Sequence, residues 1–330
     1  MADYMYGSAR VRTLEASLIG RERIESLLDA KSTAEMWSRL QEYGVEPVRD
    51  AGGFILREET LLEILRRSYR EILEIFPDDA MLELWRYPYD CNNLKAAIKA
   101  FERKIDPRSM MFDFGVFDAE QVISMVETRN FEALPRAMRM AAEEGISAYA
   151  KTKNPQQIDL LLDRACFADM LCAAQKSGNE FAIRLVRRQI DLTNLLICVR
   201  ILRMQSGEAG KLLLCDAWID GGFLPYETLQ EWFLAGEEML WDRLYYTEYS
   251  KLASAVASSD RSLTAVERCC DNYRMEEIRS AKYVPYGAEV IIAFLLAHEY
   301  EVRNLRIVLA GKEAGIAPAT LRERIRDSYV

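Results

Sequence analysis

Three times along the chain an acidic residue is followed three positions later by asparagine and then leucine: Asp90/Asn93/Leu94, Asp191/Asn194/Leu195 and Glu301/Asn304/Leu305. The three asparagines lie 194 − 93 = 101 and 304 − 194 = 110 residues apart, and the whole chain has only eight. Regular spacing of a rare residue in one fixed pattern predicts an internal triplication, with units at 1–118, 119–225 and 226–330.

A second signature follows the first two motifs. Asp113-Phe114-Gly115-Val116-Phe117-x-x-Glu120 aligns with Asp220-Gly221-Gly222-Phe223-Leu224-x-x-Glu227 at an offset of 222 − 115 = 107. Its third occurrence is expected in shortened form at Glu313-Ala314-Gly315-Ile316-Ala317-Pro318, only 315 − 304 = 11 residues after the asparagine, against 22 and 28 before. An acid and an asparagine at i and i+3 share one face of a helix, and a buried asparagine amide must find partners for two donors and an acceptor. The glycine suits a left-handed cap or a tight turn. Asp90, Asn93, Leu94, Gly115, Asp191, Asn194, Leu195, Gly222, Glu301, Asn304, Leu305 and Gly315 are therefore read as structural residues fixing helix register. The functional alternative is a polar contact with a partner inside a cavity.

An all-α fold follows from the 3.6-residue period, which runs through almost every segment, with no alternating strand pattern. Ser32-Thr33-Ala34-Glu35 reads as a capping box, Asp118 as a cap with Gln121 behind it, and Asn154-Pro155-Gln156-Gln157 as a helix start with asparagine as cap and proline first in the helix. Leu61, Ile64, Leu65 and Ile72 form one stripe of an amphipathic helix over 56–75. Pro77-Asp78-Asp79 interrupts it, and Pro88 is expected to kink or end the next helix. Beyond Pro88, Leu94, Ile98 and Phe101 are expected in the core, with Lys95, Lys99 and Lys104 facing out.

A net charge of −9 argues against a nucleic-acid partner and against direct adsorption on anionic lipid. The longest apolar run, Val290 to Ala297, is far shorter than the ~20 residues of a spanning helix, and Met1 to Arg10 lacks the apolar core of a signal peptide. The seven cysteines (91, 166, 172, 198, 215, 269, 270) contain no C-x-x-C and are read as small buried hydrophobes in a reducing compartment. These features together predict a soluble, cytoplasmic protein.

No catalytic, metal or cofactor constellation emerges. His298, the single histidine, is read as a packed or surface residue. Gly311-Lys312 resembles the end of a phosphate loop, but Glu313 replaces the Ser/Thr and Arg306 the first glycine. Asp78-Asp79 resembles a diphosphate-binding acidic motif, but Leu82 stands where its second carboxylate belongs. Arg184, Arg187 and Arg188, like Arg322, Arg324 and Arg326, are read as solvated helix faces.

The D-x-x-N-L helices, the turn at 220–224, the closing N-L-R-I-V-L-A-G-K-E-A-G-I and the opening Tyr4-x-Tyr6 with Ala9-Arg10-Val11-Arg12 resemble the C subunit of the archaeal and bacterial V/A-type ATPases (ATP synthases), counterpart of the d subunit of the eukaryotic vacuolar ATPase. The resemblance implies a funnel of three pseudo-threefold-related helical units without catalysis, cofactor or metal. It implies a rotor protein whose wide mouth receives the central-stalk shaft and whose narrow end rests on the membrane proteolipid ring, passing torque between ATP hydrolysis or synthesis and ion translocation. The chain would then sit as one copy in a hetero-oligomeric complex, peripheral on the cytoplasmic face of the membrane, with no direct small-molecule substrate. Tyr4, Tyr6 and Arg10 are candidate partner contacts. Two other classes stand beside it: a free-standing helical adaptor with a peptide-binding cavity, which would have shorter repeats, and an all-α enzyme using carboxylates such as Asp78 and Asp79.

Overall fold

The computed structural model describes residues 4–75, 79–205 and 207–330. Among these residues the structure is all-α, and the one pairing of β type is an isolated antiparallel bridge between Arg49 and Ile55. The chain divides into two compact units, Met1–Pro77 with Trp241–Val330, and Asp78–Leu240.

The first unit contains α1 (Tyr4–Leu14), α2 (Arg21–Asp29), α3 (Thr33–Glu42) and α4 (Arg57–Ile75), followed late in the chain by α13 (Ser250–Ala257), α14 (Leu263–Arg279), α15 (Ala288–Glu313) and α16 (Pro318–Arg322). Its axis is α15, which packs against α1, α2, α4 and α14. The apolar run from Val290 to Ala297 is buried at every position, so this stretch has no solvent face and is surrounded on all sides. Around it α4 turns Leu61, Leu65 and Ile72 inward, while Ile64, the fourth residue of the expected stripe, is half-buried.

The second unit contains α5 (Asp79–Arg103), α6 (Ala119–Thr128), α7 (Arg136–Thr152), α8 (Gln156–Ser177), α9 (Glu180–Met204), α10 (Gly207–Ala217) and α11 (Tyr226–Leu234). The remaining helix, α12 (Glu237–Leu244), runs across the division at Leu240. Within this unit α8 packs against α5, α7 and α9.

Helix starts follow the capping chemistry. Ser32 accepts the Glu35 N–H at 3.1 Å, and Asp118 with Gln121 forms a reciprocal capping box. Asn154 accepts from Gln156 N at 3.0 Å, yet α8 begins one residue later than expected, with Pro155 in the cap position. Pro88 neither ends nor divides its helix, because α5 is continuous through it. Proline's φ is already helical and its loss is a single N–H bond, while packing against α6 and α8 holds the flanking turns. Lys95 and Lys99 do not simply face solvent: they reach Asp163 and Asp159 of α8. Phe101, in the last turn of α5, is 43 % exposed although its neighbour Ala100 is buried, and its ring lies 5.9 Å from the Arg129 guanidinium. All seven cysteines are free, and Cys172 and Cys215 are exposed rather than buried.

Candidate functional site

The three acid–asparagine motifs are built into three clamps between a helix and a turn. In α5, Asn93 donates Nδ2 to the Phe112 carbonyl at 2.7 Å and accepts the Phe112 N–H at 2.8 Å. Asp90, fully buried one turn earlier, accepts Val116 N at 3.0 Å and Phe117 N at 3.1 Å. The Arg86 guanidinium, a further turn back, donates to the carbonyls of Phe114 and Gly115. Burial pushes the Asp90 carboxyl up to about 6, against the opposing pull of the two backbone N–H groups.

In α9 the same pattern recurs. Asn194 donates to the Ile219 carbonyl at 2.8 Å and accepts its N–H at 3.1 Å, while Asp191 accepts Phe223 N at 2.8 Å and Leu224 N at 3.1 Å. Arg187 donates to the carbonyls of Gly221 and Gly222 at 3.2 and 2.8 Å and lies 4.1 Å over the Phe223 ring. The glycines are needed for closeness: a Cβ on Gly115 would stand 2.2 Å from Asp90 Oδ1, and one on Gly222 would stand 2.0 Å from Asp191 Oδ1.

In α15, Asn304 donates to the Arg326 carbonyl and accepts the Arg326 N–H, both at 2.9 Å. Buried Glu301 accepts Ile19 N at 2.6 Å, and Arg279 of α14 donates to the Ser328 carbonyl at 2.9 Å. The shortened turn at Gly315 is thus not what Asn304 holds. Gly315, at φ +70°, ends α15 instead, where Ile316 N bonds the Gly311 carbonyl in a Schellman-type closure. The clamped residue lies 326 − 304 = 22 positions after the asparagine, between the 19 and 25 of the other two clamps. One signal in the sequence marks all three turns: Phe112, Ile219 and Arg326 are each followed by aspartate, Asp113, Asp220 and Asp327. Leu94, Leu195 and Leu305 are completely buried beneath the clamps.

Every acid and amide of the three motifs is thus engaged by backbone groups. Residues 8–324 match the family described as ATP synthase (C/AC39) subunit. The chain belongs to that family. It is similar to the C subunit of the A-type ATP synthase of Methanocaldococcus jannaschii, 24 % identical over 98 % of this chain and 86 % of that one. It is likewise similar to the C subunit of the V-type sodium ATPase of Enterococcus hirae, 24 % identical over 97 % of both chains, and to the C subunit of the A-type ATP synthase of Pyrococcus horikoshii, 25 % identical over 98 % and 90 %.

In this member of the ATP synthase C/AC39 family the arginine clusters are not free patches. Arg187 serves its clamp, Arg322 pairs with Glu25 and Asp29, and Arg326 pairs with Asp271. Tyr4 opens α1 half-buried, Tyr6 is 67 % exposed, and Arg10 lies 3.5 Å from Glu74. Of the acidic pair, Asp78 lies outside the described residues and Asp79 begins α5. No three His, Cys, Asp or Glu side chains among the described residues converge as a metal would require. Among them also, no helix is long and apolar enough to cross a membrane. A cleft of about 800 Å3 in the second unit contains Tyr87, Arg136, Asp169 and Lys176. Of its two carboxylates, Asp169 and Glu83, Asp169 accepts Ala137 N and Met138 N at the start of α7.

Proposed function

We propose that this chain is a non-catalytic rotor component of a V/A-type ATPase or ATP synthase, the socket that joins the central-stalk shaft to the membrane proteolipid ring. Torque would pass through it in either direction, between ATP hydrolysis or synthesis and ion translocation. In this reading three units, 1–118, 119–225 and 226–330, stand about a pseudo-threefold axis as a funnel, peripheral on the cytoplasmic face of the membrane. The observation that carries it is the threefold use of one clamp in a chain that matches the family from residue 8 to 324. A torque-bearing adaptor needs helices fixed in register, and each clamp fixes one long helix to a turn by buried backbone hydrogen bonds. The names of the relatives, C subunits of A-type synthases and of a sodium ATPase, agree with membership of such a complex.

The test is purification through an affinity tag on this chain from detergent-solubilised membranes of its host. Shaft and proteolipid-ring proteins are expected with it in fixed stoichiometry. Recovery of the chain alone, or with soluble partners lacking those proteins, would overturn the proposal.

A further inference from the structure

The third clamp differs from the other two in how its chain continues. After Phe117 and Leu224, the last residues held by Asp90 and Asp191, the backbone passes one residue and enters α6 at Ala119 and α11 at Tyr226. In the third turn Val330 stands four residues after Arg326, as Val116 stands four after Phe112 and Phe223 four after Ile219. The next place is taken by Ile19, whose N–H Glu301 accepts and which leads through Gly20 into α2 at Arg21. The N-terminal segment therefore completes the third clamp, and α2 begins two residues after Ile19 as α6 begins two after Phe117 and α11 two after Leu224.

Where the other clamps have a peptide bond, this one has a seam between Val330 and Ile19. The contact there is close: a Cβ on Gly20 would lie 3.0 Å from the Val330 carbonyl oxygen. Across the seam Tyr329 donates to Glu15 at 3.0 Å, Arg322 pairs with Glu25 and Asp29 at 2.7 and 2.6 Å, and the Lys312 ammonium reaches the Ala30 carbonyl. At its centre lie Glu301 and His298, which border a cavity of about 280 Å3. His298 Nδ1 has no hydrogen-bond partner there and stands 3.7 Å from Glu301 Oε1.

We propose that this seam is a proton-controlled joint: with Glu301 neutral the Ile19–Gly20 segment and α2 stay docked on α15, and loss of the proton loosens them. Asp90 and Asp191 each face two backbone N–H groups, whereas Glu301 faces one, so its charge is the least supported of the three. Burial pushes the Glu301 carboxyl up to about 7, opposed by the Ile19 N–H and by Arg23 of α2, and pushes His298 down to about 3. Apart from Arg23, the charged neighbours on α4 and α14 have ion-pair partners of their own. On α4, Arg67 pairs with Glu71, and Glu63 with Arg66 and Arg70. Glu15 binds Arg12, and Asp271 of α14 binds Arg303 and Arg326. Tyr43 and Glu46, after α3, line the far side of the cavity. A carboxyl whose docked value lies above its ordinary 4.5 holds the joint most firmly below that value and loses the advantage as pH rises towards 7. The joint lies within one compact unit, so it stands independently of the rotor reading.

Hydrogen–deuterium exchange on the full chain between pH 6 and 8, corrected for the intrinsic pH dependence of exchange, tests it. Peptides over 15–29 and 322–330 should show an opening constant that rises several-fold, up to about tenfold, between pH 6 and 7 and then levels. Peptides over the turn that Asp90 holds should rise much less in that window, because Asp90 titrates lower. Glu301→Gln keeps an acceptor for Ile19 and should abolish the slope. A wild-type seam no steeper than the Asp90 turn, or a slope that survives in E301Q, would overturn the proposal. If E301Q does not fold, the wild-type series decides alone, a steep seam supporting the joint and a flat one removing it.

Discussion

Asn194 holds Ile219 by both of that residue's backbone groups, donating to the carbonyl at 2.8 Å and accepting the N–H at 3.1 Å, with Asn194 itself completely buried. Removing the amide leaves a buried donor and a buried acceptor without partners. Asn194→Ala is expected to lower stability by about 1–3 kcal/mol, read as a shift in urea midpoint with unchanged slope. A wild-type denaturation curve would mean that the clamp contributes nothing.

The two kinds of motif glycine should respond differently to one added methyl. At Gly222 a Cβ would collide with Asp191 Oδ1 at 2.0 Å, so Gly222→Ala must displace the carboxylate from its two N–H donors. At Gly315 nothing lies within 4 Å, and the cost of Gly315→Ala is the left-handed backbone alone, about 1–2 kcal/mol. Thermal denaturation of both variants should rank G222A well below G315A. Equal melting temperatures would contradict the close approach at Gly222.

Arg187 uses a planar fork on two carbonyls and a ring face, which a lysine cannot copy. Arg187→Lys preserves charge but should cost about 1–2 kcal/mol in chemical denaturation. No loss would assign the residue to a solvated face, as its sequence context suggests.

Burial sets the sign of the pH response at Asp90. Its folded value, about 6, exceeds the ordinary 3.8, so its contribution is complete below 3.8 and is lost as pH rises through 6. Asp90→Asn does not titrate, and its amide must oppose one N–H donor. The variant should be less stable than wild type at pH 4, with the gap narrowing by pH 6.5, in paired urea titrations. A gap that widens over that range would show that Asp90 is ionised more easily in the fold than in the open chain.

The all-α class and the clamp residues are legible in the sequence because both leave periodic marks: apolar residues every three to four positions, and an acid and asparagine one turn apart at three sites. The partners of those side chains are less legible, because backbone groups carry no sequence. Arg326 as the residue held by Asn304 is concealed by the glycine at 315, whose real task is ending α15. Arg86 and Arg187, one turn before their acids, form a further shared position, but the third clamp breaks that pattern by taking its guanidinium from Arg279 on another helix. Ile19 is invisible to any local pattern, being 301 − 19 = 282 residues from the carboxylate that holds it. The helix through Pro88 shows the reverse failure, a strong local rule overridden by packing on both sides.

The most direct test of the rotor reading is ATP-driven ion uptake into inverted membrane vesicles of the host, with hydrolysis followed in parallel, in membranes that contain the chain, lack it, or have it added back. The account predicts that membranes lacking it still hydrolyse ATP but lose uptake, and that adding the purified chain restores coupling. Uptake per ATP hydrolysed that is unchanged without the chain would contradict it.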